Sequence, residues 1–196
     1  MTAPKDIRLI CGLGNPGERY SHTRHNVGFA VVDALAVQQK VKYWKEEAGC
    51  LIGFCAWPNQ DGSERQIVLA KPQGYMNTSG GPLSKLMRRL EISPQEILVV
   101  HDEVDLPAGA IRVKFGGGLN AHNGLRSISA KLGTHDFARV KCGIGRPAGK
   151  MSVADYVLRP LKGDFLEQFG FIVQQAAGAC SLSLNEGVAA AENHAF

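Results

Sequence analysis

The sequence predicts an α/β fold: a single domain in which a central, twisted, mixed β-sheet is flanked by helices. Three observations predict it. A short apolar run over 7–13 enters a Gly14-Asn15-Pro16-Gly17 turn and is followed by helical spacing over 26–39. Two β-like runs, 50–57 and 66–71, flank turn-forming residues and suggest an antiparallel hairpin. The run 96–101, with Ile97-Leu98-Val99-Val100 inside, has the unbroken apolar character of a strand buried on both faces.

Each element has a local reason. Val27, Ala30, Val31, Ala34 and Leu35 recur at helical spacing and define the first helix. The hairpin turn falls on 58–62, where Pro58, Asn59, Asp61 and Gly62 are turn formers. A second helix over 81–90 carries the stripe Leu83, Leu86, Met87 and Leu90, with Arg88 and Arg89 at the carboxyl end of its dipole. The buried strand ends in the acidic run Asp102, Glu103 and Asp105. Strands are expected over 110–115 and 138–144, and a helix over 124–132. Asp164, three residues before Glu167, gives a capping-box-like start to a closing helix expected over about 164–190. Its Phe165, Phe169, Ile172, Val173, Ala176 and Cys180 face the sheet. Neither a repeat nor a linker of domain-boundary character interrupts the chain, so residues 1–196 are expected to form one domain.

Composition narrows the function classes. With 44% hydrophobic and 20% charged residues, the 196-residue chain has the balance of a soluble globular protein. The net charge of +4 permits a polyanionic partner without demanding one. Five scattered cysteines form no CxxC pair, which argues against a disulfide framework or a zinc site and for reduced thiols in the cytoplasm. The opening MTAPKDIRLI lacks the apolar region of a signal peptide, and no apolar stretch approaches the roughly 18 residues that span a bilayer, so no membrane role is expected.

Five segments can carry chemistry. Gly12-Leu13-Gly14-Asn15-Pro16-Gly17 satisfies GxGxxG after a strand, which admits a dinucleotide-binding oxidoreductase. Against that, the polar stretch Glu18 to His25 intervenes before the helix, and Asp33 lies inside the helical pattern rather than ending a second strand. Within the polar stretch, His25 stands immediately before the first helical turn, near the sheet edge where α/β proteins bind ligands. Asp102 admits three readings: a solvated acidic turn, a Mg²⁺ ligand, or the carboxylate that orients an imidazole. No serine or cysteine sits on a nucleophile elbow, which favours water activated by a base. In 71–80, Asn77, Thr78 or Ser79 can cap a helix, and Asn77 can equally bind a carbonyl beside the stacking face of Tyr75. Gly116-Gly117-Gly118, then His122-Asn123-Gly124 opening a helix among Arg112, Lys114 and Arg126, suit phosphate or sugar or form a mobile loop. Arg139 and Lys141, on one face of a strand, extend this basic set with Arg146.

Five blocks taken in order, GLGNPGERYSHTRHNVGF (12–29), KPQGYMNTSG (71–80), HDEVDLPAGAIRVKFGGG (101–118), HNGLRSI (122–128) and GIGRP (143–147), resemble the bacterial-type peptidyl-tRNA hydrolase family. The resemblance spans about 7–160. It implies a phosphorylase/hydrolase-like fold and a monomeric, cytoplasmic esterase that needs neither cofactor nor metal. Such an enzyme cleaves the ester between a peptide and the 3′-terminal ribose of tRNA. By position, His25 then corresponds to the base that activates water and Asp102 to its orienting carboxylate. Asn15 corresponds to the residue that distinguishes blocked from free aminoacyl-tRNA, and Tyr20, Tyr75, Asn77 and Asn123 to residues that bind the tRNA end or the peptide. Lys114 and Lys141 correspond to contacts with tRNA phosphate. The competing expectation is a catalytically silent RNA-binding relative. Two departures stand out: Gln73-Gly74 before the aromatic, and Ala121 where glycine commonly precedes His-Asn. Backbone strain is expected at Ala121 if that position requires positive φ.

Overall fold

The computed structural model describes residues 4–59 and 61–196; Gln60 of the expected hairpin turn and residues 1–3 of the opening segment lie outside them. The described strands are β1 (Leu9–Gly12), β2 (Lys45–Glu47), β3 (Cys50–Pro58), β4 (Glu64–Pro72), β5 (Ile97–Glu103), β6 (Ile111–Phe115) and β7 (Ala138–Gly143). They form one sheet in the order β2-β3-β4-β1-β5-β7-β6. β1 runs parallel to β4 and β5, and β5 parallel to β7, whereas β3 and β6 are antiparallel to their neighbours. The sheet is mixed, as expected, and the hairpin forms between β3 and β4 with Cys55 opposite Ile67.

Helices cover both faces. α2 (Val27–Gln38), α6 (Asp164–Asn185) and α7 (Val188–Glu192) pack on one side over Ile10, Leu69, Leu98 and Val140. On the other side, α3 (Gly80–Arg89) and α4 (Asn123–Leu132) cover Leu9, Cys11, Val99 and Ile97. The predicted stripe of α3 is realised, with Leu83 and Leu86 fully buried. Two short helices, α1 (Glu18–Ser21) and α5 (Val153–Leu158), stand near the carboxyl ends of the parallel strands.

Two differences from expectation bear on function. β5 continues beyond His101 through Asp102 and Glu103, because both pair with β7, opposite Cys142 and Gly143. All seven residues of β5 are buried, so the start of the acidic run is strand interior rather than exit turn. The second difference is how closely α2 approaches the sheet. A β-carbon on Gly12 would lie 2.2 Å from the Gly28 carbonyl oxygen, and one on Gly28 only 2.4 Å from that of Val100. Only a glycine pair permits this crossing, which brings the entrance of α2 against the end of β5.

Candidate active site

The site lies where the carboxyl ends of β1, β4 and β5 meet the start of α2, the position at which open α/β sheets bind ligands. Arg24–Asn26 form a single 3₁₀ turn ahead of α2, and His25 is the residue of that turn that faces β5. Its Nδ1 is 2.9 and 3.0 Å from the two carboxylate oxygens of Asp102. The side chain of Asp102 is 2% exposed and that of His25 13%.

A second imidazole shares the carboxylate. His122 Nε2 is 2.9 Å from Asp102 Oδ1, while its Nδ1 accepts the Leu125 N–H and caps α4. Burial alone would raise the Asp102 carboxyl, but the imidazoles of His25 and His122 outweigh it and hold the group well below the usual carboxylate range. An ionised carboxylate only accepts hydrogen bonds, so both nitrogens that face it carry hydrogen. In the neutral tautomer selected by this bond, Nε2 of His25 keeps its lone pair, and it carries no hydrogen bond to the described residues. His101 lies behind, donating from Nδ1 to the Asp102 carbonyl at 2.7 Å, with its ring 5.0 Å from that of His122. Burial, and then the proximity of His122, hold His101 far below the ordinary imidazole range, so it is neutral.

His25, Asp102 and His122 also have the composition of a metal-ligand set, with donor atoms within 4.8 Å of one another. The hydrogen bonding argues against that use. A metal needs an imidazole lone pair, and His122 spends one nitrogen capping α4 and carries its proton on the other.

The wall opposite His25 is built by reciprocal amide bonds. Asn26 accepts the Asn15 N–H through Oδ1 and donates from Nδ2 to the Asn15 carbonyl, both at 2.9 Å. Asn15 Oδ1 in turn accepts the Met76 N–H at 2.7 Å, which fixes the flip of the amide. Its NH₂ group has no partner among the described residues. Asn15, His25, Tyr75, Asn77, His122 and Asn123 line one cavity of about 490 Å³ together with the apolar side chains of α5.

The chain as a whole matches a known family. The family model "Peptidyl-tRNA hydrolase" matches residues 9–196. The chain belongs to the peptidyl-tRNA hydrolase family. It is 48% identical to the peptidyl-tRNA hydrolase of Nocardia farcinica over 196 residues, 98% of each chain. It is 44% identical to that of Mycobacterium marinum, covering 94% of this chain and 95% of the relative. The crystal structure of peptidyl-tRNA hydrolase from Acinetobacter baumannii superposes with a TM-score of 0.84 at 31% identity, covering 100% of this chain and 99% of that one.

The remaining sequence-predicted residues of this hydrolase occupy different settings. Tyr75, Asn77 and Asn123 are exposed on the cavity rim. Tyr20 is not among the residues lining that cavity; it sits on α1 with the Arg19 guanidinium over its ring. Lys114 is exposed on β6, whereas Lys141 is 15% exposed and ion-paired at 3.2 Å to Glu103, which Asn120 also binds. Arg139 departs from its expected place in a surface set. It is fully buried, and its guanidinium donates to the carbonyls of Gly118 at 2.6 Å and Gly117 at 2.9 Å. The triple-glycine loop is therefore pinned from below rather than left as a free hinge. Ala121 has φ +58° and Asn120 φ +45°, the strain that the alanine implied. Sequence reasoning does not identify His122 as a second partner of Asp102, although both histidines adjoin an asparagine at a helix start, in the pairs His25-Asn26 and His122-Asn123.

Proposed function

We propose that this chain hydrolyses the ester of peptidyl-tRNA with His25 as general base and Asp102 as its orienting carboxylate. The observation that carries the reading is the buried His25–Asp102 pair at 2.9 Å, with His25 Nε2 unpartnered beside the cavity. His25 Nε2 takes a proton from water as the water oxygen bonds to the ester carbonyl carbon. The resulting tetrahedral intermediate collapses by breaking the bond to the ribose 3′ oxygen, and the imidazolium returns its proton to that oxygen. The charge of Asp102 stabilises the imidazolium between the two steps. His122 binds the same carboxylate and keeps it from rotating away.

Asn15 supplies selectivity. With its oxygen held by the Met76 N–H, the amide can offer the substrate only N–H donors. A peptide carbonyl satisfies such a donor. The ammonium of an unblocked aminoacyl group has only donors itself, and burying it unpaired is costly. Tyr75, Asn77 and Asn123 then hold the peptide or the terminal nucleotide at the rim, Tyr20 stacks farther along the tRNA end, and Lys114 and Lys141 meet phosphate.

In the same reading residues 1–196 make one catalytic unit that acts as a monomer. The five free, buried thiols suit a reducing compartment such as the cytoplasm. The test is hydrolysis of N-acetyl-aminoacyl-tRNA and its unblocked counterpart in the presence of EDTA. The blocked substrate alone should be cleaved, and His25→Ala should lose nearly all activity while keeping its fold. Strict metal dependence, or full activity in that variant, refutes the reading.

A further inference from the structure

Arg24 immediately precedes His25 but serves a different cavity. The residue is 6% exposed, and its guanidinium lies over two aromatic rings, 4.3 Å from the centroid of Tyr156 on α5 and 4.6 Å from that of Phe165 on α6. Both rings stabilise its charge. They leave its N–H groups, which lie in the guanidinium plane, without acceptors: no described residue accepts a hydrogen bond from this side chain. Its nitrogens are not sealed from solvent, so the guanidinium keeps an accessible edge.

That edge borders a cavity of about 690 Å³, whose lining includes Arg146, Arg159 and Lys162 and no acidic residue. Arg146 is tethered to Asp105, but Arg159 and Lys162 have no anionic partner among the described residues. Three unpaired cations around one concavity repel one another, and a nearly buried guanidinium without acceptors is costly; an oxyanion in the plane of Arg24 removes both penalties. Arginine in this setting presents a planar fork that matches phosphate.

The cavity adjoins the active site. Arg146 lines both, and α5 forms the partition, with Val153, Val157 and Leu158 on the catalytic side and Tyr156 on the other. A substrate leaving the catalytic cavity as a nucleotide chain carries an anion at every step, whereas a peptide carries one only where its sequence is acidic. We propose that Arg24, Arg159 and Lys162 form a phosphate subsite that holds a backbone phosphodiester of the single-stranded 3′ end of the tRNA, apart from Lys114 and Lys141. The assignment rests on the peptidyl-tRNA reading above.

The test uses Arg159→Glu/Lys162→Glu and, separately, Arg24→Lys. With N-acetyl-aminoacyl-tRNA, the double variant should raise KM about tenfold at roughly 0.1 M salt and flatten the dependence of log KM on log salt by about one unit, with kcat unchanged. With N-acetyl-aminoacyl-adenosine, which carries no phosphate, both kinetic constants should match the wild type. Arg24→Lys keeps the charge but loses the fork, and should raise KM for the tRNA substrate alone. Unchanged KM and salt slope overturn the subsite, as does an equal loss on the phosphate-free substrate. An effect that follows acidic residues in the peptide also overturns it and assigns the cations to the peptide. If the wild-type protein cleaves neither substrate, the hydrolase reading fails. The subsite is then judged by titration with a 3′-terminal RNA hexanucleotide, whose affinity must still fall in the double variant.

Discussion

Replacing Asp102 by Asn isolates the role of charge in the active site. Its Oδ1 receives both imidazoles, from His25 Nδ1 at 2.9 Å and His122 Nε2 at 2.9 Å, while Oδ2 is 3.0 Å from His25 alone. An asparagine that places its carbonyl at Oδ1 keeps both hydrogen bonds and sets its NH₂ against the His25 N–H. The opposite flip keeps only the 3.0 Å contact with His25 and sets the NH₂ group against the N–H groups of both imidazoles. The first arrangement therefore prevails, and what the variant loses is chiefly the negative charge that faces the imidazolium of the transition state. At an effective dielectric constant of about 20, opposite unit charges at that separation attract by ~6 kcal/mol. Partial solvent access to His25 and the remaining amide dipole reduce this to about 3–5 kcal/mol, a fall in kcat of roughly 10² to 10⁴, which is the range of general-base catalysis. Steady-state hydrolysis of N-acetyl-aminoacyl-tRNA should show that fall with KM nearly unchanged, because the surfaces that hold tRNA are not altered. Stability supplies a second readout. The folded carboxyl is depressed, so its contribution is whole above the unfolded value of about 3.9 and is lost as pH falls toward the folded one. The stability difference between wild type and variant should close as pH falls below about pH 4. A kcat within threefold of wild type, or an effect confined to KM, would refute the argument.

Other perturbations probe the frame around this pair. Gly28→Ala places a methyl group 2.4 Å from the Val100 carbonyl oxygen and should prevent α2 from docking, so that urea denaturation shows a loss of about 3 kcal/mol or more and activity falls with it. Arg139→Lys keeps a charge but loses the fork that binds two loop carbonyls, and it should cost about 2 kcal/mol in the same assay. Ala121→Gly relieves a left-handed alanine while loosening the unfolded chain, two effects of about 1 kcal/mol that oppose each other; stability should move by less than ~1 kcal/mol and kcat by less than threefold. All five thiols are buried, and burial pushes Cys50 up to about 12 and Cys55 to about 11, so iodoacetamide at pH 8 should leave the mass of the native protein unchanged and add five groups after denaturation.

Local pattern determined a good part of this protein. The apolar runs, the stripe of α3 and the turn residues between β3 and β4 each act over a few neighbours, so strand, helix and hairpin were legible without long-range information. His25 and Asp102 were legible because one opens a helix and the other ends an apolar strand, positions that converge in an α/β sheet; their specific roles came from the resemblance. Tertiary structure decided the rest. Asp102 and Glu103 are strand interior because β7 pairs with them, a contact spanning about 40 residues of chain that no local composition encodes. Arg139 reads as surface charge in sequence, yet the loop carbonyls 21 and 22 residues away give its guanidinium acceptors in the interior. His122 and His25 meet over one carboxylate because the glycine crossing seats α2 against β5 while the strained loop at Asn120 and Ala121 delivers α4 to the same point. Periodicity specifies which face of each element is apolar; only the packing of those faces determines which polar groups share a cavity.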